Sequence, residues 1–152
     1  DDRVNEGPAE NDNATASGME LSADKTWESG TRLRTSVSYQ DATYASGGAL
    51  PNSPNWLGKL NYSSPLPWAW LRLGYELQYD ARRLSKDGAY LDGYWLSHLN
   101  LIADKWARGL EVSLGLYNLF DARYDHPGSD INWLNALEQD GRSARLKVSY
   151  RF

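Results

Sequence analysis

The sequence contains no cysteine, and among its large apolar residues it has only two phenylalanines and one methionine. Without cysteine the chain has neither a disulfide framework nor a thiolate metal site. Its two histidines are a poor basis for a transition-metal centre, so we predict no metal or cofactor. No stretch approaches the roughly 18 consecutive apolar residues that a membrane-spanning helix requires.

Signals for targeting, catalysis and nucleic-acid binding are also missing. Residues 1–13 are acidic and polar where a signal peptide needs a basic and then an apolar stretch, so either a leader was removed or the chain begins inside a longer protein. The chain has no nucleophile elbow, phosphate loop or convincing catalytic pair, and we predict that it is not an enzyme. A net charge of -4 argues against a nucleic-acid partner.

Tryptophan and tyrosine are abundant, with seven and ten copies. Their amphipathic rings favour a membrane–water boundary. The mean hydropathy of -0.66 is typical of a soluble protein. A membrane barrel can have the same average because its strands alternate apolar and polar residues, so the average does not separate the two classes.

Apolar and polar residues alternate with period two along seven segments, which predicts β-strands. Residues 1–13 lack this alternation and are predicted to be a disordered remnant of an extracellular loop. The predicted strands are Ala14–Thr26, Thr31–Tyr44, Asn55–Ser64, Trp68–Arg82, Ala89–Ala103, Gly109–Arg123 and Arg142–Phe152.

The spacers between these segments alternate in length. An up-and-down membrane barrel has this asymmetry, because its periplasmic turns are short and its extracellular loops are longer. The short spacers are Glu28–Gly30, Pro65–Pro67 and Asp104–Arg108, and the longer ones are Ala45–Pro54, Arg83–Gly88 and Tyr124–Gly141.

Each segment has one uncharged side, although 24% of all residues are charged. A strand surface that faces lipid should exclude charge, whereas the lumen of a large barrel is polar. The uncharged stripes are Met19, Leu21, Ala23; Leu33, Thr35, Val37, Tyr39; Trp56, Gly58, Leu60, Tyr62; Leu71, Leu73, Tyr75, Leu77, Tyr79; Trp95, Ser97, Leu99, Leu101; Leu110, Val112, Leu114, Leu116; and Ala144, Leu146, Val148, Tyr150, Phe152. The charged residues of the opposite stripes are Glu20, Asp24, Arg32, Arg34, Lys59, Arg72, Glu76, Asp80, Asp92, Glu111, Arg145, Lys147 and Arg151.

Three residues break this pattern. Leu96 and Ile102 fall on the polar stripe, and Asn118 falls on the uncharged stripe, where a rim position or a bulge would accommodate it. A one-sided soluble sheet also alternates, so a soluble β-sandwich that binds sugars through exposed tryptophans is an alternative. An aromatic girdle favours the membrane, because several aromatic residues lie beside the short turns or at the carboxyl end. These are Trp27, Trp68, Trp70, Trp106, Tyr150 and Phe152.

Seven strands do not complete a barrel, because single-chain bacterial barrels have an even number of strands. We therefore predict an all-β fold, an antiparallel up-and-down transmembrane β-barrel that is present as a partial barrel over residues 14–152. A small stand-alone outer-membrane barrel is a second alternative, and it requires an eighth strand within residues 1–13.

Three segments resemble the TonB-dependent outer-membrane receptors. Residues 51–56 resemble the Asn-x-Pro pattern with which a descending strand of that family begins, and residues 139–152 resemble its last strand. A third segment resembles the signature Asn-Leu-Phe-Asp-x-x-Tyr, carried here by Asn118, Leu119, Phe120, Asp121 and Tyr124. The resemblance covers nearly all of residues 14–152.

The resemblance implies the C-terminal strands of an outer-membrane barrel of about 22 strands that an amino-terminal plug closes. Such receptors import iron–siderophore complexes, haem, cobalamin or another scarce nutrient, and TonB acts on the plug, which is not present in this chain. The expected partners are therefore outer-membrane lipid, the nutrient and TonB. The carboxyl end, with Val148, Tyr150 and Phe152 on one side, resembles the signal that the barrel-assembly machinery recognises, although Lys147 stands where that pattern often has glycine.

Arginines on the polar stripes are candidates for contacting an anionic ferric complex. They are Arg32, Arg34, Arg72, Arg145 and Arg151. Polar residues that crowd one outer loop are predicted to be solvated rather than to form a cation site. They are Asp121, Asp125, His126, Asp130, Asn132, Glu138 and Asp140. His98 is predicted to have a hydrogen-bonded structural role.

Overall fold

The structure, a computed structural model, describes residues 13–128 and 133–152, apart from the side chains of Lys105 and Trp106. The predicted loop remnant lies outside these residues except for Asn13, and so do Asp130 and Asn132. Trp106 of the predicted girdle therefore has no described side chain.

Seven long strands form one antiparallel sheet in which each strand pairs with its neighbours in sequence. They are β1 (Ala14–Thr26), β2 (Arg32–Tyr44), β3 (Trp56–Pro65), β4 (Leu71–Asp80), β7 (Tyr94–Ala107), β8 (Leu110–Tyr117) and β11 (Ser143–Tyr150). Two small hairpins lie in the loops, formed by β5 (Arg83–Leu84) with β6 (Tyr90–Leu91) and by β9 (Asp125–Pro127) with β10 (Ala136–Glu138). The sheet is open between β1 and β11, so the predicted all-β, antiparallel, partial barrel is confirmed.

The described part of the chain holds no helix that is long and apolar enough to span a membrane.

Short and long connections lie at opposite ends of the sheet, as predicted. Residues 27–31, 66–70 and 108–109 connect strands at one end, which we call the short-turn rim. Residues 45–55, 81–93 and 118–142 connect them at the other, which we call the long-loop rim. Gly109 has a φ of 75° in its two-residue turn, a conformation that glycine adopts without strain.

Several predicted boundaries were wrong for local reasons. The sixth strand ends at Tyr117 rather than Arg123, because Asn118 has a φ of 48°, which a strand cannot contain. The fifth begins at Tyr94 rather than Ala89, because the preceding residues form the small hairpin. It continues through the predicted turn to Ala107 by means of an irregularity in register after Ala103.

The register places every predicted uncharged stripe on one side of the sheet, here called the uncharged face. Because side chains alternate along a strand, one directly opposed pair at each strand interface fixes the relation of the two stripes. Such pairs are Leu21 with Val37, Val37 with Gly58, Gly58 with Tyr79, Tyr79 with Trp95, Leu101 with Leu114, and Leu114 with Leu146. The opposite side, here called the polar face, collects most of the charged residues of these strands; Lys25 and Asp41 share the parity of the uncharged stripes, at the ends of β1 and β2 next to the two rims.

No second layer of the described chain covers the uncharged face. Leu21, Leu146 and Val148 are 78%, 67% and 61% exposed. Within residues 13–128 and 133–152, substantial contacts between elements are confined to neighbouring strands of the sheet and to the hairpins, so no second sheet packs on this face as a soluble sandwich would require.

Several buried residues gather instead towards the long-loop rim of the polar face. Asp80, Tyr94 and Leu96 are between 5% and 7% exposed. Leu96 therefore departs from the polar stripe because it belongs to this packed region.

Candidate functional site on the polar face and the long-loop rim

Two of the candidate arginines lie together on the polar face. Arg32 donates through Nε to Asp24 Oδ1 at 3.0 Å and through a second nitrogen to the other carboxylate oxygen. Arg34 Nε lies 3.3 Å from the same carboxylate. Both arginines line an open depression of about 420 Å³ that also reaches Asn61 and Glu76. Asp24 therefore offsets part of their positive charge, although each guanidinium stays about half exposed.

Arg72 has a structural role. Its Nη1 donates to the Gly30 carbonyl oxygen at 3.2 Å and to Ser63 Oγ at 3.0 Å. These bonds tie β4 to the first short turn and to β3. A substitution here would disturb the short-turn rim as well as the charge of the face.

The last two candidate arginines belong to the far side of the sheet. Arg145 lies on β11, with its guanidinium 5.6 Å from the centre of the Tyr117 ring. Five strand intervals of about 4.8 Å separate β2 from β11, so Arg145 is roughly 24 Å from Arg32 along the sheet. Arg151 follows β11 at the short-turn rim. The arginines therefore form one pair and three separate positions rather than a single cluster.

The family signature forms the base of the longest loop. Asn118 is only 4% exposed, its Oδ1 accepts from the Ala122 amide at 2.8 Å, and its Nδ2 donates to the Ala122 carbonyl at 2.9 Å. The Asn118 amide donates to His98 Nδ1 at 3.0 Å, which confirms the hydrogen-bonded role predicted for His98. Asparagine suits this position because it tolerates a positive φ and its side chain mimics backbone groups.

The other signature residues extend this anchor. The Leu119 amide donates to the Ser97 carbonyl at 2.8 Å, and the Arg142 amide donates to Asp121 Oδ1 at 2.7 Å, which joins the two ends of the loop. Phe120 is 75% exposed. Together these contacts fix where the chain leaves β8 and where it enters β11.

The three long loops are joined above the sheet. Arg83 Nη2 donates to the buried carboxylate of Asp80 at 2.6 Å, and Arg83 Nη1 donates to Asn52 Oδ1 at 3.1 Å. Across the next gap, Asn135 Nδ2 donates to Asp87 Oδ2 at 2.6 Å. A hydrogen bond from Ser85 holds the pKa of Asp87 below its ordinary value, so Asp87 stays an acceptor.

An aromatic group adds a further link between the loops. Tyr94 Oη lies 2.9 Å from His126 Nε2, and the Tyr94 and Tyr124 rings are 4.3 Å apart. Burial lowers the pKa of His126, the charge of Arg83 lowers it further, and Asp80 opposes the shift. Burial also raises the pKa of Tyr124. His126 is therefore neutral around pH 7. It is hydrogen-bonded to Tyr94 of β7, so the prediction that it is solvated was wrong.

The joined loops surround a cavity of about 390 Å³. It is lined by one residue from the end of β2 and by residues from all three long loops: Tyr44, Leu50, Pro51, Asn52, Lys86, Pro127 and Gly128. The Tyr44 ring, Leu50 and two prolines give this cavity apolar surface.

The described loop acids have separate roles. Glu138 Oε1 accepts from Arg123 Nη1 at 2.8 Å, and both side chains are largely exposed. Asp121 closes the loop base, as described above. No group of three or more His, Cys, Asp or Glu side chains in the described ranges is arranged to hold a metal ion.

Aromatic residues mark both rims of the uncharged face. Trp27 and Trp68 are 42% and 59% exposed near the short-turn rim, where the sequence predicted them. A second set at the long-loop rim was not predicted, although each member lies on an uncharged stripe near a long spacer. It consists of Tyr39, Trp56, Tyr79 and Trp95. Asp92, which the sequence assigned to the polar side, lines a groove with this second set, because β7 begins only at Tyr94.

The predicted assembly residues are exposed along the last strand. Val148, Tyr150 and Phe152 are 61%, 58% and 114% exposed, and the Tyr150 and Phe152 rings meet edge to face at 5.1 Å. They continue the uncharged face to the carboxyl end.

Comparison with solved structures shows the same wall of strands. The ferric-catecholate import receptor Fiu of Escherichia coli K12 aligns with a TM-score of 0.76 and 20% identity over 91% of this chain and 21% of that one. The pyoverdine receptor FpvA of Pseudomonas aeruginosa PAO1 gives 0.73 and 18% over 91% and 22%, and the copper transporter OprC gives 0.73 and 22% over 91% and 24%. The chain thus spans about a fifth to a quarter of these proteins. No curated protein matches its sequence.

The sequence itself matches a family model. The model is described as TonB dependent receptor-like, beta-barrel, and it covers residues 3–119. Barrels of this family lie in the outer membrane of Gram-negative bacteria. The chain therefore belongs to the TonB-dependent receptor family and contributes seven strands of the barrel.

Proposed function

We propose that the chain forms the C-terminal strands of an outer-membrane TonB-dependent receptor that imports an iron–siderophore complex or a similar scarce nutrient. The observation that carries this proposal is the single face, uncharged between its two rims, that the register builds across all seven strands. In this arrangement the uncharged face contacts lipid, the polar face lines the lumen and the long-loop rim is extracellular.

The height of the uncharged face suits a bilayer. From Leu71 to Tyr79 on β4, eight residue-to-residue steps of about 3.4 Å extend roughly 27 Å along the strand. A tilt of about 40° reduces this to roughly 21 Å of height, close to the apolar band of about 25 Å in outer-membrane barrels. The two aromatic rims then lie at the two membrane–water boundaries.

Two adjacent positions on β3 test this orientation. Leu60 lies on the uncharged face and Asn61 on the polar face. We expect Leu60→Lys to destabilise the intact protein in lipid vesicles by about 2–4 kcal/mol, the cost of lysine near the bilayer midplane. Asn61→Lys, the matched control, should change stability by less than about 0.5 kcal/mol. Equal effects in urea unfolding would contradict the orientation.

The nutrient class is supported by the neighbours and by the polar face. Fiu imports ferric catecholates and FpvA binds pyoverdine. Arg34 and Arg145 offer guanidinium groups to an anionic complex. We expect Arg34→Gln and Arg145→Gln each to weaken binding of a ferric siderophore by the intact receptor severalfold, whereas Arg108→Gln on the short-turn rim leaves it unchanged. Unchanged affinity in both polar-face variants would remove the anionic-ligand proposal.

The chain's other partners follow from the same proposal. TonB would act through a plug, and the barrel-assembly machinery would recognise Val148, Tyr150 and Phe152. An exposed aromatic edge strand offers the pairing that strand addition needs. We expect Phe152→Ala to lower the amount of assembled receptor in the outer membrane, while Ser149→Ala on the opposite face leaves it unchanged. Equal amounts would argue that these residues face lipid only.

A further inference from the structure

A groove of about 930 Å³ opens on the uncharged face at the long-loop rim. Its floor is aromatic. The Tyr39 and Trp56 rings are 4.9 Å apart, and the Tyr79 and Trp95 rings are 4.5 Å apart, so four neighbouring strands contribute. Its margin is charged and consists of Arg82 and Asp92, the feature that separates it from a plain aromatic girdle. We call it the rim groove.

The charged margin is held in place by the backbone. A Cβ at Gly93 would lie 2.7 Å from the Asp80 carbonyl oxygen and 2.9 Å from the Arg82 amide nitrogen. Only glycine therefore lets the chain before β7 run against the chain after β4, which sets Arg82 and Asp92 on the same groove. The guanidinium of Arg82 lies 4.8 Å from the centre of the Tyr90 ring, which restricts its position.

Arg82 has no ion pair among the described residues. Its guanidinium is therefore available to an anion, and a planar guanidinium matches a phosphate group well. Asp92 makes a purely anionic ligand less favourable, but its carboxylate accepts hydrogen bonds from hydroxyl groups. The margin thus suits a molecule that carries both phosphate and hydroxyl groups.

We propose that the rim groove binds a phosphorylated glycolipid of the outer leaflet, an inference that rests on the proposed orientation of the uncharged face towards lipid. The phosphate contacts Arg82, the sugar hydroxyls contact Asp92, and the sugar rings and the start of the acyl chains lie on the aromatic floor. The floor continues into the uncharged face, so an amphiphile fills the groove without leaving the membrane. The groove opens away from the polar face and is separate from the lumen.

Lipid retention by the intact receptor tests this assignment. The receptor is placed in nanodiscs with a bisphosphorylated, acylated glucosamine disaccharide, and the bound lipid is counted by native mass spectrometry. We expect Arg82→Gln to lower retention at least about tenfold, because a hydrogen bond to a charged group contributes at least about 1.5 kcal/mol. Arg108→Gln, an exposed arginine at the opposite rim, is the control and should retain the lipid. Equal retention by Arg82→Gln and the control would overturn the proposal.

Two further probes identify the chemistry. The wild-type receptor should retain the dephosphorylated disaccharide lipid as weakly as the Arg82→Gln variant retains the phosphorylated one. Phosphatidylglycerol lacks sugar rings, and it should bind weakly to both the wild type and the variant. Equal binding of phosphatidylglycerol and the glycolipid would overturn the glycolipid assignment. Nutrient uptake by Arg82→Gln should be unchanged, so failure of this inference is distinguishable from failure of the importer proposal, which the Leu60 and Arg34 variants test.

Discussion

Asn118 offers the sharpest test of the anchor at the base of the longest loop. We expect Asn118→Ala to release the loop at residues 118–142 without unfolding the barrel. Alanine removes two buried hydrogen bonds to Ala122, each contributing about 1 kcal/mol. Alanine also lacks the polar side chain by which asparagine tolerates a positive φ, so holding it at a φ of 48° costs about 1 kcal/mol more.

These terms predict an ordered series. Asn118→Ala should favour opening of the loop by about 3 kcal/mol, or roughly 100-fold. Asn118→Gly keeps the backbone conformation and loses only the bonds, so it should cost about 2 kcal/mol. Phe120→Ala, at a signature residue that is 75% exposed, should cost almost nothing.

Limited proteolysis of the intact receptor measures the opening. At low protease concentration the cleavage rate follows the population of the open loop. The expected order of cleavage within residues 118–142 is Asn118→Ala, then Asn118→Gly, then Phe120→Ala and wild type together. Cleavage of Asn118→Ala at the Phe120→Ala rate would refute the reasoning, because it would mean that these bonds do not hold the loop.

Further predictions concern three other contacts. The pKa of His126 is lower in the folded loop than its ordinary 6.5. The contact between His126 and Tyr94 is therefore fully stable above about pH 6.5 and weakens as the pH falls towards the folded-state pKa. Proteolysis of the loop should become faster over that interval in the wild type but not in His126→Phe. Gly109→Ala combines a φ of 75° with a clash against a backbone oxygen and should slow folding into vesicles more than Gly47→Ala, whose φ is 94° but whose surroundings are open. Arg83→Leu removes the ion-pair partner of the buried Asp80 carboxylate and leaves it only the hydrogen bond from Gln78. It should destabilise the loops by about 3–5 kcal/mol in urea unfolding, and adding Asp80→Asn should rescue part of the loss.

The faces of the sheet could be predicted because alternation is a property of each strand alone. Leu21 and Leu146 lie on opposite edges of the sheet, yet parity assigned both to the correct side. The signature at Asn118 was also recognisable, although its role as a loop anchor follows only from a positive φ and from contacts with Ala122.

The arrangement of the loops could not be predicted. Tyr94 and His126 are 32 residues apart in sequence, and no local pattern indicates that they meet. Asp92 was assigned to the wrong side of the sheet. A short hairpin precedes β7, so the alternation of side chains along β7 does not extend back to Asp92. The rim groove depends on such an interruption, so it follows only from the three-dimensional arrangement of the chain.

The strand β1 lies at an edge of the sheet, and its outward-pointing N–H and C=O groups have no partner strand among the described residues. In hydrocarbon each such group costs several kcal/mol, since no water is there to solvate it. Insertion of these seven strands into a bilayer by themselves is therefore unfavourable at both edges of the sheet. In the proposed orientation, both edge strands therefore have to pair with further barrel strands as the sheet enters the bilayer.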